Sequence, residues 1–250
     1  MSGSFNERGE LDLGDGRLIL CVGKKRSGKS VMARLLFATY PGDRIVLDVA
    51  GDDGPSGRDV IDLQGDCSTL PERWPEHRRD GDKPMTLRYV PDHGSPTVME
   101  DMDAIIGLAM KHGREQRDQG KPGCCLLVHE VGVVAPPHKS PPHMRRLLNA
   151  NRHYAVTGIM CGPRPMNIDP LVLQQADLVY GFEMPNRNDR VRLGEQMGWD
   201  AGELDAAFRE LGPHEYLRFD ANEEKPQEGD EDVRLLHFEK LPDDVVKAIP

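Results

Sequence analysis

The chain reads as an α/β protein with a mostly parallel central sheet flanked by helices, and three features of the sequence say so. Short apolar runs alternate with stretches of helical periodicity along most of its 250 residues. The run CCLLV at 124–128 is apolar at every position, the pattern of a strand buried on both faces of a parallel sheet. A strand-like run at 17–22 passes directly into the octet GKKRSGKS and then into a helical stretch.

Taken in order, RLILCV at 17–22 predicts a strand, and KSVMARLLFATY at 29–40 predicts a helix. RIVLD at 44–48 is the next strand, and short strands follow at 59–63 and 85–90, separated by a stretch rich in Pro and charge. Residues 97–119 predict a long helix, with Thr97 as N-cap and Glu100 completing a capping box. Ser140 and Pro141 predict an N-cap with proline at the first helical position, and that helix runs to about His153. TGIMC at 157–161 is a buried strand, DPLVLQQA a short helix and DLVYGFE a further strand. Residues 188–211 predict two helices broken near Gly198. HEYLRFD and VRLLHF are late strands, a hairpin across an acidic loop at 220–232. The organisation expected is a polar segment at 1–16, a main domain at 17–212, and C-terminal strands at 213–250 belonging to the same domain.

Composition narrows the function. The net charge of −10 speaks against a simple nucleic-acid coat protein, though a ring that touches DNA through a narrow basic lining is compatible with it. No apolar run approaches the roughly 20 residues of a membrane span, and the N-terminus lacks the apolar core of a signal peptide, so the expectation is a cytoplasmic protein. Cys21, Cys124, Cys125 and Cys161 fall in apolar runs and read as small core residues.

The octet has the form G-x-x-x-x-G-K-S, a P-loop. Backbone N–H groups of such a loop curl around a phosphate, and the following helix adds the positive end of its dipole. The nucleotide-binding residues expected are Gly23, Lys24, Lys25, Arg26, Ser27, Gly28, Lys29, Ser30 and Val31. Lys29 reaches the β- and γ-phosphates of ATP, and the Ser30 hydroxyl ligates Mg²⁺. About 100 residues later the CCLLV strand leads into His129 and Glu130, where Glu130 can polarise the attacking water. The fold class is therefore a P-loop NTPase of the RecA-like (ASCE) kind.

The segment from Arg152-His153 through TGIMCGPRPMNIDPLVLQQADLVYGFEMPNRNDR resembles the FtsK–HerA superfamily of DNA-pumping ATPases. Its marks are the Arg-His pair ahead of a strand, Pro163-Arg164-Pro165 in place of a Gln-Arg-Pro turn, Asp169-Pro170 opening a short helix, and Ala176-Asp177 before a strand carrying Phe182. Asp48 matches an acidic residue common after the second strand. In size the chain is most similar to the genome-packaging ATPases of tectivirus-like (tailless, internal-membrane) viruses. The resemblance implies ATP hydrolysis coupled to translocation of double-stranded DNA by a homo-oligomeric ring, a hexamer for preference, working at a viral capsid vertex protein. It implies Glu130 and Lys29 as catalytic residues, Arg152 (or Arg145) as an arginine finger from a neighbour, and Asp48 as a second Mg²⁺ position. The sequence departs from the family twice. His129 replaces the aspartate of the usual Asp-Glu pair, and Pro163 replaces the sensor glutamine. Those departures keep a weakly hydrolysing assembly protein as an alternative, beside a filamentous-phage-type assembly or secretion ATPase.

Two basic clusters carry double readings. Lys111, Arg114, Arg117 and Lys121 form one side of the long helix, either facing a DNA backbone or simply solvated. Arg145 and Arg152, seven apart, are expected on one helix face.

Overall fold

The computed structural model describes residues 16–51, 60–65, 67, 84–221 and, as backbone, 237–240. The segments expected at 1–15 and in most of the acidic loop, with the first part of VRLLHF, lie outside the described residues. The strands are β1 (Leu18–Val22), β2 (Asp43–Leu47), β3 (Val60–Gln64), β4 (Thr86–Val90), β5 (Cys124–Val128), β6 (Val156–Gly162), β7 (Leu178–Phe182), β8 (Glu215–Asp220) and β9 (His237–Lys240). They form one sheet in the order β3-β4-β2-β5-β6-β1-β7-β8-β9. The first seven strands in that order run parallel, and β8 and β9 are antiparallel additions at one edge. β1 thus lies between β6 and β7, and β6 between β1 and β5, which places the ends of all four side by side.

Seven α-helices cover the sheet among the described residues: α1 (Lys29–Thr39), α2 (Val98–Asp118), α3 (Val131–Val134), α4 (Pro142–Ala150), α5 (Pro170–Gln175), α6 (Arg187–Met197) and α7 (Ala201–Glu210). Side chains alternate across each strand, so β1 sends Ile19 and Cys21 to one face and Leu18, Leu20 and Val22 to the other. On the first face Met32, Leu36 and Phe37 of α1 close over Ile19, Val46, Leu127 and Ile159. On the second, α2, α4, α5, α6 and α7 contribute Ile105, Leu147, Val172, Leu193 and Phe208 to one continuous core. Burial on both sides is why β1, β5 and β7 carry no exposed position.

Several local expectations shift. Thr97 precedes α2 but makes no capping bond, and its hydroxyl donates to Asp101 at 2.9 Å. The capping box with Glu100 does not form, because the nearer Asp101 takes the hydroxyl. The helix expected from Ser140 starts one residue later, with Pro142 at its first position. Ser140 is drawn away to the buried Asp169, to which its hydroxyl donates at 2.7 Å. Burial pushes the Asp169 carboxyl up, but the Leu171 amide, the Ser140 hydroxyl and amide, and nearby His138 together hold it below the ordinary carboxylate range. That helix also ends early. After Ala150 the chain tightens into a 3₁₀ turn, Asn151–Tyr154, so Arg145 and Arg152 do not share one α-helical face. The break near Gly198 is as expected, with Gly198 in the left-handed conformation at φ 71° and Asp200 capping α7 through the Gly202 and Glu203 amides.

The carboxyl end of β2 holds a cross-strand ion pair that the sequence does not announce. Asp48 is fully buried and accepts from Arg88 of β4, at 3.0 Å from Nε and 2.6 Å from the second guanidinium nitrogen. Its other oxygen takes the Gly51 amide at 3.1 Å. Both oxygens thus accept hydrogen bonds from within the chain. Removing the charge leaves Arg88 poorly compensated in a site where its side chain is 15% exposed. Asp48→Asn is expected to cost about 3 kcal/mol and to lower Tm by about 6 °C or more in a thermal melt. An unchanged melt would show the pair to be dispensable.

Candidate nucleotide site

β1 ends in the loop Gly23–Gly28, which needs glycine at both ends. Gly23 has φ 152° and Gly28 φ 108°. A Cβ at Gly23 would lie 2.6 Å from Cβ of Phe182 and 3.0 Å from Ser27 Oγ, so Phe182 at the end of β7 forms the floor of the loop. The loop is tied to the next residue of that segment as well. Lys24 donates its amide to the Glu183 carbonyl at 2.9 Å, and its ammonium pairs with the Glu183 carboxylate. Lys24, Lys25 and Arg26 are exposed, and Arg26 takes the left-handed conformation at φ 63°.

The first residues of α1 are Lys29, Ser30 and Val31. The amides that open a helix have no acceptor within it, and here no side chain caps them and no acidic residue occupies the first turn. Lys29 is only 7% exposed, and its ammonium has no hydrogen bond or ion pair to any described residue. A positive group in the first turn also opposes the helix dipole. The buried Ser27 hydroxyl lacks a protein partner too. Helix amides and an ammonium therefore lie together at the start of α1, and among the described residues no carboxylate pairs with Lys29. This is the composition of a phosphate cradle. Ser30, one residue further on, is partly buried and offers a hydroxyl beside it, which suits Mg²⁺, an ion that takes few protein ligands when phosphates supply the rest.

β5 carries the second element. His129 continues its ladder, donating its amide to Leu47 O at 3.0 Å, and is buried. Glu130 then turns the chain sharply at φ 54°, ψ 52° into α3. A left-handed glutamate is costly, and packing holds it there. Val131 and Val134 are fully buried, and Gly132 lies against the Asn167 carbonyl. The Glu130 carboxylate is partly buried and has no protein partner among the described residues. Asp48, considered for Mg²⁺ on sequence, has its carboxylate engaged by Arg88 as described above.

The turn after β6, which the sequence marks through Pro163-Arg164-Pro165, adds groups to which sequence reasoning gave no role at the site. Gly162 pairs with Val22 of β1, so Pro163 and Arg164 follow beside the loop. Arg164 Nε donates to Asp189 of α6 at 3.0 Å, and the other Asp189 oxygen accepts the Met166 amide at 3.2 Å. Arg192 donates to the Pro165 and Ile168 carbonyls at 3.1 Å each. The signal available in the sequence was slight: Asn186 as an N-cap ahead of Asp189, a spacing that brings a carboxylate into the first turn of α6.

Arg152 lies at the opposite end of the sheet. Its Cα is 2.7 Å from where a Cβ on Gly16 would sit, just before β1 begins. Its guanidinium pairs with Asp177 at 2.9 Å, with the arginine side chain 69% exposed. The length of β1, about 17 Å, separates it from the loop of its own chain. Arg145 is exposed on α4. Of the basic cluster on α2, Lys111 and Arg114 face Glu115 and Asp118 at 4.0 Å, and Arg117 binds Asp118 and the His153 carbonyl. The side chains in these ion pairs are all largely exposed. The buried cysteines are as expected, and burial, then Cys161, push the Cys21 thiol up while Lys29 pulls the other way.

No protein-family model matches the chain, and no curated protein matches it in sequence. Solved structures do. The genome packaging NTPase B204 of Sulfolobus turreted icosahedral virus 2, in complex with ATP-γS, superposes with a TM-score of 0.60 at 19% identity, covering 85% of this chain and 94% of that one. The same NTPase with AMPPCP gives 0.61 at 17% identity, over 84% and 94%. B204 of Sulfolobus turreted icosahedral virus, described as a DNA-packaging ATPase, gives 0.56 at 20% identity, over 84% and 94%. Along nearly its whole described length, then, the chain has the fold of these viral P-loop NTPases, the α/β architecture that its sequence predicts.

Proposed function

We propose that this chain is an ATPase that drives translocation of double-stranded DNA, a viral genome-packaging motor acting as a homo-oligomeric ring. The observation that carries the reading is the ammonium of Lys29, without a partner among the described residues at the uncapped start of α1, with the carboxylate of Glu130, likewise without one, at the same edge of the sheet. The likeness of fold to B204, solved as a genome packaging NTPase with ATP-γS, supports it.

In this reading the amides of the loop and of Lys29, Ser30 and Val31 bind the phosphates, and Lys29 offsets the charge shared by the β- and γ-groups. Ser30 would hold Mg²⁺, which when bound neutralises charge on those phosphates. Glu130 orients the attacking water and accepts its proton, and its position outside the strand ladder leaves both carboxylate oxygens available. His129 is buried against the sheet and has no part in the chemical step of this reading. Catalysis is then positioning and electrostatics.

Arg152 completes the site from a neighbouring subunit. Its place at the amino ends of the strands keeps it from its own loop, and a head-to-tail contact would carry it to the next one. The exposed pair with Asp177 is weak enough to exchange for a phosphate. A ring of this kind would act in the host cytoplasm or at the virion, on a capsid vertex protein. Among the described residues no helix is long and apolar enough to cross a membrane.

His129 and Pro163 support one second reading, a nucleotide-binding assembly protein that hardly hydrolyses. Turnover separates the two. The motor reading predicts ATP hydrolysis that rises when double-stranded DNA is added, and a Glu130→Gln variant that still binds ATP but turns over about 10²-fold more slowly. Negligible wild-type hydrolysis with DNA present would favour the assembly protein, and near-normal turnover by Glu130→Gln would remove Glu130 from its role.

The ring is tested by mixing subunits. Lys29→Ala disables a subunit's own cradle, whereas Arg152→Ala disables only what it lends its neighbour. Neither should hydrolyse ATP alone, and mixtures should recover part of the activity, since the finger is worth about 10³-fold. Absence of recovery at every ratio contradicts a finger in trans from Arg152.

A further inference from the structure

The proposed site holds the phosphates through Lys29 and backbone amides, groups that ADP and ATP would both engage. We propose that Arg164, steered by Asp189, is the chain's own cation for the terminal phosphate, and that it distinguishes a nucleoside triphosphate from a diphosphate. The inference rests on the nucleotide-binding reading of the loop and deepens it.

Position is the first argument. β6 lies between β1 and β5, with Gly162 paired to Val22 and Met160 paired to Val128. β6 runs two residues past Met160, to Gly162, where the chain of β5 has already turned off at Glu130. Neighbouring strands are about 4.8 Å apart. The chain leaving β6 therefore emerges between the loop at Gly23 and the carboxylate of Glu130, over the gap that a terminal phosphate and its attacking water would occupy. Pro163 offers no polar side chain there, so Arg164 is the first residue of that turn able to contribute one.

The second argument is how the arginine is held. Asp189 is buried, its side chain 5% exposed, whereas the Arg164 side chain is 47% exposed. A buried carboxylate that grips an exposed arginine fixes the direction of the guanidinium. Only Nε is engaged, and the two terminal nitrogens have no acceptor among the described residues. A planar fork with its outer donors free suits a phosphate oxygen pair. The backbone beneath is fixed too, by the Met166 amide on Asp189 and by Arg192 on the Pro165 and Ile168 carbonyls.

The third argument is coupling to the loop. Glu183, which binds Lys24, and Asp189, which binds Arg164, belong to one short segment leaving β7. The cradle and the cation are thus referenced to the same piece of backbone, as discrimination by one phosphate requires. Asp189 is a positioning residue in this scheme and touches no nucleotide.

The test titrates the full-length protein, with Mg²⁺, against fluorescently labelled ADP and the non-hydrolysable ATP analogue AMPPCP. Arg164→Ala should weaken AMPPCP about tenfold or more while changing ADP by less than about twofold. Arg164→Lys should restore part of the AMPPCP affinity, and Asp189→Asn should lose part of it, again with ADP little changed. Retained ADP affinity shows that each variant is folded, and should Asp189→Asn fail to fold, the Arg164 pair decides alone. Equal loss for both nucleotides, or no loss for either, overturns the assignment of Arg164. A wild-type protein that binds neither nucleotide overturns the nucleotide-binding reading itself, a different outcome from a selective failure at Arg164.

Discussion

The arrangement turns on one charge. Lys29 stands in the first turn of α1, nearly buried, at the positive end of the helix dipole, with no acid to answer it among the described residues. A buried ammonium without a partner is among the more costly features a fold can retain. The chain keeps it by surrounding it with rigid structure: a loop whose glycine conformations admit no side chain, a floor made by Phe182, and a clamp from Glu183 onto Lys24. The one carboxylate in that surround, Glu183, is taken up by Lys24. In the proposed reading the site is preorganised for phosphate at some cost to the stability of the unliganded protein.

The sheet order turns that local arrangement into a site with a direction. Parallel strands bring their carboxyl ends to one edge, so the loop after β1, Glu130 after β5, Arg164 after β6 and Glu183 after β7 meet there although they are scattered over the sequence. Arg152 sits at the other edge, beside Gly16. A domain with its phosphate cradle at one end and an exposed arginine at the other is polar from end to end. Head-to-tail association of such units closes into a ring when the rotation allows it. The segment after β7 deserves equal weight with the loop, since it fastens both the loop and the turn after β6, and a shift in it would reach both at once.

Much of the fold was legible because its signals are local. Continuous apolar runs such as CCLLV announce buried parallel strands, and Gly23 to Ser30 announces its turn by residues that no other conformation needs. Misreadings arose where a distant partner won. The Thr97 hydroxyl went to Asp101 one turn on, Ser140 was taken by Asp169, and the helix carrying Arg145 ended at Ala150, two residues short of Arg152, where the chain tightens into a 3₁₀ turn before β6. Arg88 beside Asp48 is likewise absent from any local signal, since only the pairing of β2 with β4 brings the two together. The same holds for Arg164. Its partner lies 25 residues away, and the contact exists only because α6 packs under the turn. Periodicity can place an element, but it carries no information on which of several carboxylates an arginine will find.

The central claim, that Lys29 is an uncompensated charge awaiting phosphate, is tested most directly by thermal melts of wild type and Lys29→Met with and without Mg-ATP. Methionine keeps most of the side chain's length and packing and removes the charge. Without nucleotide, the variant should melt at or above the wild-type temperature, because a buried charge has been replaced by an apolar group. With nucleotide, wild type should gain several degrees through ligand linkage while the variant gains little. A variant that melts well below wild type without nucleotide, yet is still stabilised by Mg-ATP as much as wild type, would contradict the account.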